Sequence, residues 1–183
     1  MSTLLSNFFR WPVLLAFACV SAACASGPRL IAHSFEFDAR RDSPDVEILD
    51  YRYGDSKQPG ARNPVYLLNE GKALQATGIY GTMLVGDTLY AKWRIKSTGE
   101  IYHDTVDLRH RLPVDIREHT IHFAIKNDQL FVYLISPGKL DPNPCPSRDE
   151  LGRLSKSDAL DDRIFSMYCY RKITVIYPVR QKR

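Results

Sequence analysis

The chain has 183 residues, 44% of them hydrophobic, with 25 Lys and Arg against 21 Asp and Glu for a net charge of +4. A charge this modest, with acids and bases interspersed, argues against a dedicated nucleic-acid binder. The length left after an N-terminal leader suits one domain with a sizeable core rather than two.

In the first 26 residues a lone cation, Arg10, precedes the apolar run Val13 to Val20 and then Ser21-Ala22-Ala23-Cys24-Ala25-Ser26. The run is close to the ~7–15 residues of a secretory h-region and short of the ~20 that span a bilayer, so residues 1–23 read as a cleaved signal peptide. Two processing sites fit. Ala23-Cys24-Ala25 has the small-x-small form of ordinary cleavage, which releases a soluble periplasmic or secreted protein starting at Ser26. Ser21-Ala22-Ala23-Cys24 resembles the bacterial lipobox, with Ser21 where an aliphatic residue usually stands. That resemblance implies lipidation of Cys24, a tether over 24–29 and a membrane contact made through the lipid. Ala25, in place of the Asp that retains such proteins at the inner membrane, implies the outer membrane.

Residues 30–178 read as one β-rich domain, followed by a basic tail at 179–183. Leu30 to Phe37 and Val46 to Tyr53 are strand-like and are joined by a polar loop, Asp38 to Asp45, with a proline at 44. Turn-like clusters of Gly, Pro, Asn, Asp and Ser fill 54–71, where Val65-Tyr66-Leu67-Leu68 reads as a short strand. Ala73 to Val85 supplies another.

Strict alternation then sets in. From Asp87 to Lys96, Leu89, Ala91, Trp93 and Ile95 share one face, while Tyr90, Lys92, Arg94 and Lys96 share the other. Ser97-Thr98-Gly99 makes a turn and the chain returns from Glu100 to Leu108, an antiparallel hairpin with one strongly cationic face. A second hairpin turns at Asn127-Asp128, which sets Lys126 opposite Gln129, Ile125 opposite Leu130, Phe123 opposite Val132 and Ile121 opposite Leu134. One face of it is wholly apolar and the other is apolar on one strand, so it belongs in the centre of the fold with material on both sides.

Past the Pro- and Gly-rich stretch 138–143, residues 147–163 are compatible with either a helical turn or a mobile loop, and Met167 to Tyr177 forms the last strand. About seven or eight short strands with turns between them predict a mainly antiparallel β-sandwich or open barrel, the alternative being an α+β domain with one helix around 147–163.

With Cys19 in the leader and Cys24 at its junction, Cys145 and Cys169 remain as the thiols of the folded domain, and an exported pair reads as a disulfide. No metal site is expected, since neither has a CxxC partner.

The five histidines are expected on the surface or in structural hydrogen bonds. His119 and His122, three apart along a strand, point to opposite faces. His103 and Asp107 share a face but stand roughly 13 Å apart at strand rise. Asp38, Asp42 and Asp45 lack the spacing of a calcium loop, Asp161-Asp162 lie in a loop, and no G-x-S-x-G or S-x-x-K motif is present. No enzyme activity and no cofactor are therefore expected. What remains is protein binding, for which ten tyrosines are suited. The candidate surface is Tyr90, Lys92, Arg94 and Lys96 together with Arg109 and Arg111, which reads either as a face for an acidic partner or as a solvated face.

The block Gly86 to Trp93, Gly99 to Leu108, His122-Phe123 and Leu130 to Tyr133 resembles a group of small proteobacterial lipoproteins. Some similar lipoproteins are encoded beside type VI secretion effectors, notably lipases, and act as periplasmic immunity proteins. The resemblance spans residues 78 to 136. It implies a non-enzymatic lipoprotein that binds and neutralises an effector, or alternatively a structural or assembly lipoprotein of the cell envelope.

Overall fold

A computed structural model describes residues 29–178. The expected signal peptide (1–23), Cys24 with most of the expected tether, and the basic tail lie outside the described residues. Eight strands form two sheets. The larger has the order β3-β1-β6-β7-β8, built from β3 (Ala76–Leu84), β1 (Leu30–Asp38), β6 (Thr120–Lys126), β7 (Gln129–Lys139) and β8 (Arg171–Tyr177). The smaller has the order β2-β4-β5, from β2 (Val46–Tyr53), β4 (Thr88–Ile95) and β5 (Ile101–Asp107). The pairing of β1 with β6 is parallel and the others are antiparallel. The sheets do not close on one another, so the fold is a mainly β sandwich and not a barrel.

The apolar faces meet between the sheets. Phe35, Phe37, Ile121, Phe123, Ile125 and Val132 come from the five-stranded sheet, and Ile48, Tyr51, Tyr53, Leu89, Ala91 and Trp93 from the three-stranded one, all buried. Phe35 stacks on Tyr53 with centroids 4.7 Å apart, and Phe37 meets Phe123 at 4.3 Å. Offset aromatic pairs of this kind add about 0.5–1.5 kcal/mol each beyond the area they bury.

Both hairpins form as their alternation dictates. In β6–β7 the register is Lys126↔Gln129, Ile125↔Leu130, Phe123↔Val132 and Ile121↔Leu134, with Asn127 at φ 55° in the turn. This pair is central, and its second face carries Ala124, Tyr133 and Ile135 against a helix, α4 (Leu160–Tyr168), through Leu160 and Ile164. The β4–β5 hairpin places Leu89, Ala91, Trp93 and Ile95 inward.

Three segments depart from the sequence expectation. Val65 to Leu68 is not a strand but part of a short helix, α2 (Val65–Asn69), started by Pro64, whose carbonyl accepts from the N–H groups of Leu67 and Leu68. The loop after β1 contains one helical turn, α1 (Ala39–Asp42), with the Asp38 carboxylate accepting from Arg40 N–H. Residues 147–163 hold helix, with α3 (Arg148–Leu154) preceding α4, and α4 runs to Tyr168, so the last strand starts at Arg171 and not at Met167. Cys145 and Cys169 are disulfide-bonded, which fastens the end of α4 to the excursion leading into α3.

Candidate functional site

The residues proposed to meet a partner fall in three places. Tyr90, Lys92 and Arg94 stand on the outer face of β4, as alternation requires. Lys96 lies beyond the strand end, where its Nζ donates to the Pro44 carbonyl at 2.8 Å. Arg109 and Arg111 sit on the loop after β5: Arg109 Nη2 lies 2.6 Å from Asp107 Oδ2, and Arg111 donates to the Asp107 and Ile176 carbonyls, its guanidinium 5.3 Å from the Tyr177 ring centroid. They do not form one continuous patch.

Nor is the β4 face strongly cationic. β2 brings Glu47 opposite Arg94 and Asp50 opposite Lys92, with Arg94 Nη1 2.8 Å from Glu47 Oε2. Two residues three apart on a strand ordinarily face opposite ways. An irregularity in the register between Ile48 and Asp50 lets both acids meet the cations. Arg52, opposite Tyr90, holds its guanidinium 6.0 Å from the Tyr90 ring centroid. The outer face is therefore a ladder of opposite charges around an aromatic.

Beside that ladder lies a groove of about 380 Å³, lined by Asp50, Arg52, Arg62, Val65, Leu68 and Tyr90. Its far wall is α2, none of whose residues is buried; Val65 is 68% exposed and Tyr66 64%. The helix is held in this posture by Asn63, buried just before it. The Asn63 amide donates to the Lys72 carbonyl at 2.8 Å, and its oxygen accepts from Leu74 N–H at 3.2 Å. Burial raises the pKa of Asp50 at the groove floor. An apolar ledge next to a guanidinium-backed tyrosine is a surface suited to protein contact. Sequence reading missed its apolar half because the Val-Tyr-Leu-Leu run fits a strand as well as a helix.

A second constellation is buried in the five-stranded sheet's outer layer. His122 of β6 places Nε2 2.9 Å from Asp42 Oδ2 and Nδ1 2.9 Å from the Tyr168 hydroxyl, which donates to Glu36 Oε1. Asp42 also accepts from the Ser43 hydroxyl at 2.7 Å, and Ser43 Oγ accepts from Ile125 N–H at 2.8 Å. Burial pushes the imidazole pKa down, but hydrogen bonds and charge from Asp42 and Glu36 outweigh it and lift His122 to about 9. Burial raises the Glu36 carboxyl, and the bonds from His122 and Tyr168 bring it below its ordinary value. Burial and the Glu36 charge push the Tyr168 hydroxyl far up. The group is thus an imidazolium with both N–H bonds committed, under a cleft of about 390 Å³ bordered by Glu36, Arg41, Thr77, Met167 and Tyr168. It has no free nitrogen with which to take a proton from a substrate, as a general base must.

The remaining candidates stay apart. His33 is buried, its Nδ1 2.7 Å from the Ile31 carbonyl and its Nε2 2.9 Å from the Tyr53 hydroxyl. His119 Nδ1 lies 3.0 Å from the Arg117 carbonyl. Asp38 pairs with Arg40, Asp42 turns inward to His122, and Asp45 accepts from the Ser97 hydroxyl, so the three acids of the first loop do not converge. Among the described residues no group of three or more His, Cys, Asp or Glu side chains is placed to hold a metal ion. The sequence signal for the Asp42–His122 pair was the placement of His122 in a hairpin expected to carry material on both sides; its partner lies 80 residues away. No protein-family model, no curated protein and no solved structure matches the chain.

Proposed function

We propose that the protein is a non-enzymatic lipoprotein of the bacterial periplasm, anchored in the outer membrane through Cys24, which binds a protein partner. In its most concrete form the partner is a secreted antibacterial effector of the type VI kind, which the protein neutralises. The observation that carries the binding role is the exposed apolar ledge of α2 beside Arg52, Arg62 and Tyr90, since a patch of this sort on a soluble domain marks an interaction site. The committed imidazolium of His122 favours binding over catalysis. The Cys145–Cys169 disulfide favours an oxidising compartment.

The test is capture from envelope and culture-supernatant fractions with the wild-type chain and with Leu68→Asp, followed by co-production of the captured protein with each. A single stoichiometric partner that is lost with Leu68→Asp, and whose toxicity is relieved by the wild-type chain alone, is the expected result. Recovery of envelope components only, equally with both chains, would leave a structural or assembly lipoprotein in its place.

A further inference from the structure

Each sheet has two edge strands, and an edge presents alternate N–H and C=O groups that natural proteins block against pairing with another chain. Three of the four edges here are visibly blocked. On β2, both backbone groups of Ile48 are taken by the Gln75 side chain at 2.9 and 2.8 Å. Farther along, the Tyr51 carbonyl accepts from Asn63 N–H and the Tyr53 N–H donates to Ala61. On β5, Asp104 caps the outward N–H of Thr105 at 2.7 Å, and the strand carries Asp104 and Asp107. On β8, Arg111 caps the Ile176 carbonyl at 3.0 Å, and the strand opens with Arg171 and Lys172.

The fourth edge, β3, has neither device among the described residues. Its nine residues, Ala76–Leu84, include no charge and no proline. The bonds Val85 N–H to Arg29 and Ala39 N–H to Gln75, both 2.9 Å, extend the β1–β3 register and set its parity. In antiparallel pairing the hydrogen-bonded positions alternate. The odd-numbered residues of β3 therefore bond to β1, and Ala76, Gly78, Tyr80, Thr82 and Leu84 aim their backbone groups outward. Gly78, Tyr80 and Thr82 are exposed, Tyr80 at 66%.

We infer that β3 is a docking edge for a second copy of this chain, the two β3 strands pairing antiparallel about a two-fold axis at Tyr80. The argument is one of charge. Antiparallel self-pairing of β5 along its whole length sets Asp104 against its own copy, and β8 is closed by the Arg111 cap on Ile176, whereas β3 meets its own copy with no charge to repel. A foreign strand added to an edge is selected by side-chain pockets or charges; β3 itself carries no ionised group, and because the cleft that borders it at Thr77 and Gly78 is lined by Glu36 and Arg41, a foreign strand is the occupant the test has to separate from a second copy. The axis at Tyr80 lets the whole strand overlap its mate, Gly78 opposite Thr82 and Ala76 opposite Leu84. Every outward residue then meets an outward residue, and two five-stranded sheets become one continuous sheet. The two Tyr80 Cα atoms come within about 5.5 Å of each other.

The test replaces Tyr80, which faces its own copy, and Ser34, its register partner one strand further in. On the purified chain under a mild thiol oxidant, Tyr80→Cys is expected to give a disulfide-linked species of twice the chain mass, and Ser34→Cys to remain single. In sedimentation equilibrium, Tyr80→Lys is expected to raise the dimer dissociation constant severalfold while leaving the melting temperature unchanged at concentrations low enough for both proteins to be monomeric. A wild-type chain that stays monomeric at high micromolar concentration would overturn the inference. So would equal cross-linking of both cysteine variants, or linkage of Tyr80→Cys to a different protein in cells.

Discussion

The stability of this fold should decline from mildly acidic to alkaline pH, and His122 supplies the reason. The imidazole faces Asp42 at the end of α1, Glu36 on β1, Tyr133 on β7 and Tyr168 on α4, with Arg41 and Arg171 acting on the carboxylates and phenol around it. Its pKa rises from 6.5 to about 9 on folding. A group whose folded value is raised contributes stability that is complete below its unfolded value and is lost as pH climbs through the folded one. The window therefore runs from about pH 6.5 to about pH 9. At about 1.4 kcal/mol per pH unit, the interval amounts to about 3 kcal/mol, or roughly 6–12 °C in Tm for a domain of this size. Glu36, held below its ordinary 4.5, adds a limb of opposite sign, with stability lost as pH falls below that value. The assay is urea denaturation of the disulfide-intact protein at intervals from pH 6 to 9.5, repeated with His122→Gln. The variant should be less stable at pH 6, because the buried Asp42 carboxyl loses the charged hydrogen-bond partner it has in the wild type, and its profile should be flat across the window. A flat wild-type profile, or an Asp42→Asn variant with an unchanged slope, would refute the assignment of an imidazolium at this position.

Cys169→Ser should lower stability by about 3–4 kcal/mol in the absence of reductant, the loop-closure value for about 25 residues, and equal thermal melting of both proteins without reductant would show that the bridge contributes nothing. Gly86→Ala should cost about 1–3 kcal/mol through overpacking, because a Cβ there falls 2.6 Å from Cε2 of the buried Tyr53 ring; thermal denaturation indistinguishable from wild type would contradict that contact. Reversal of Lys92 and Arg94 to Glu should weaken partner capture yet change stability by no more than about 1 kcal/mol, as the Arg94–Glu47 pair is some 40% exposed on both sides. Affinity unchanged by the reversal would remove the β4 face from the interface and leave α2 as its centre.

Local pattern carried the hairpins. The register of β6–β7 follows from a two-residue turn and an apolar alternation within 15 residues, and the inward set of β4 from period two alone. Where residues outside a segment fix its conformation, its own pattern could not decide. Val65 to Leu68 fits a strand in isolation, and it is Pro64 and the Asn63 clamp on Lys72 and Leu74 that make it a helix. In 147–163 a signal was legible: Ser147 stands three residues before Glu150, whose N–H its hydroxyl accepts at 3.3 Å, the arrangement of a helix N-cap. The charge of the β4 face was misjudged for a different reason. Its neutralising acids, Glu47 and Asp50, sit on a strand more than 40 residues upstream, and both reach the face only through the irregularity that follows Ile48.

The imidazolium and the disulfide act on the same segment. Tyr168, whose hydroxyl bridges His122 and Glu36, is the residue before Cys169, and Cys169 is bonded to Cys145 across the excursion that leaves β7. On its own, α4 buries only Leu160 and Ile164, too little for a nine-residue helix to hold its place by apolar contact. One fastening is covalent and constrains the unfolded chain; the other is electrostatic and is felt in the folded state alone. Each tightens the other, since a loosened α4 lets water reach His122, and a neutral His122 gives Tyr168 a weaker partner. The outer layer of the five-stranded sheet is thereby fixed over β6 to β8 and left open over β1 and β3. That asymmetry keeps the uncharged β3 edge accessible, while the α2 ledge, beside the opposite sheet, is exposed as a separate surface.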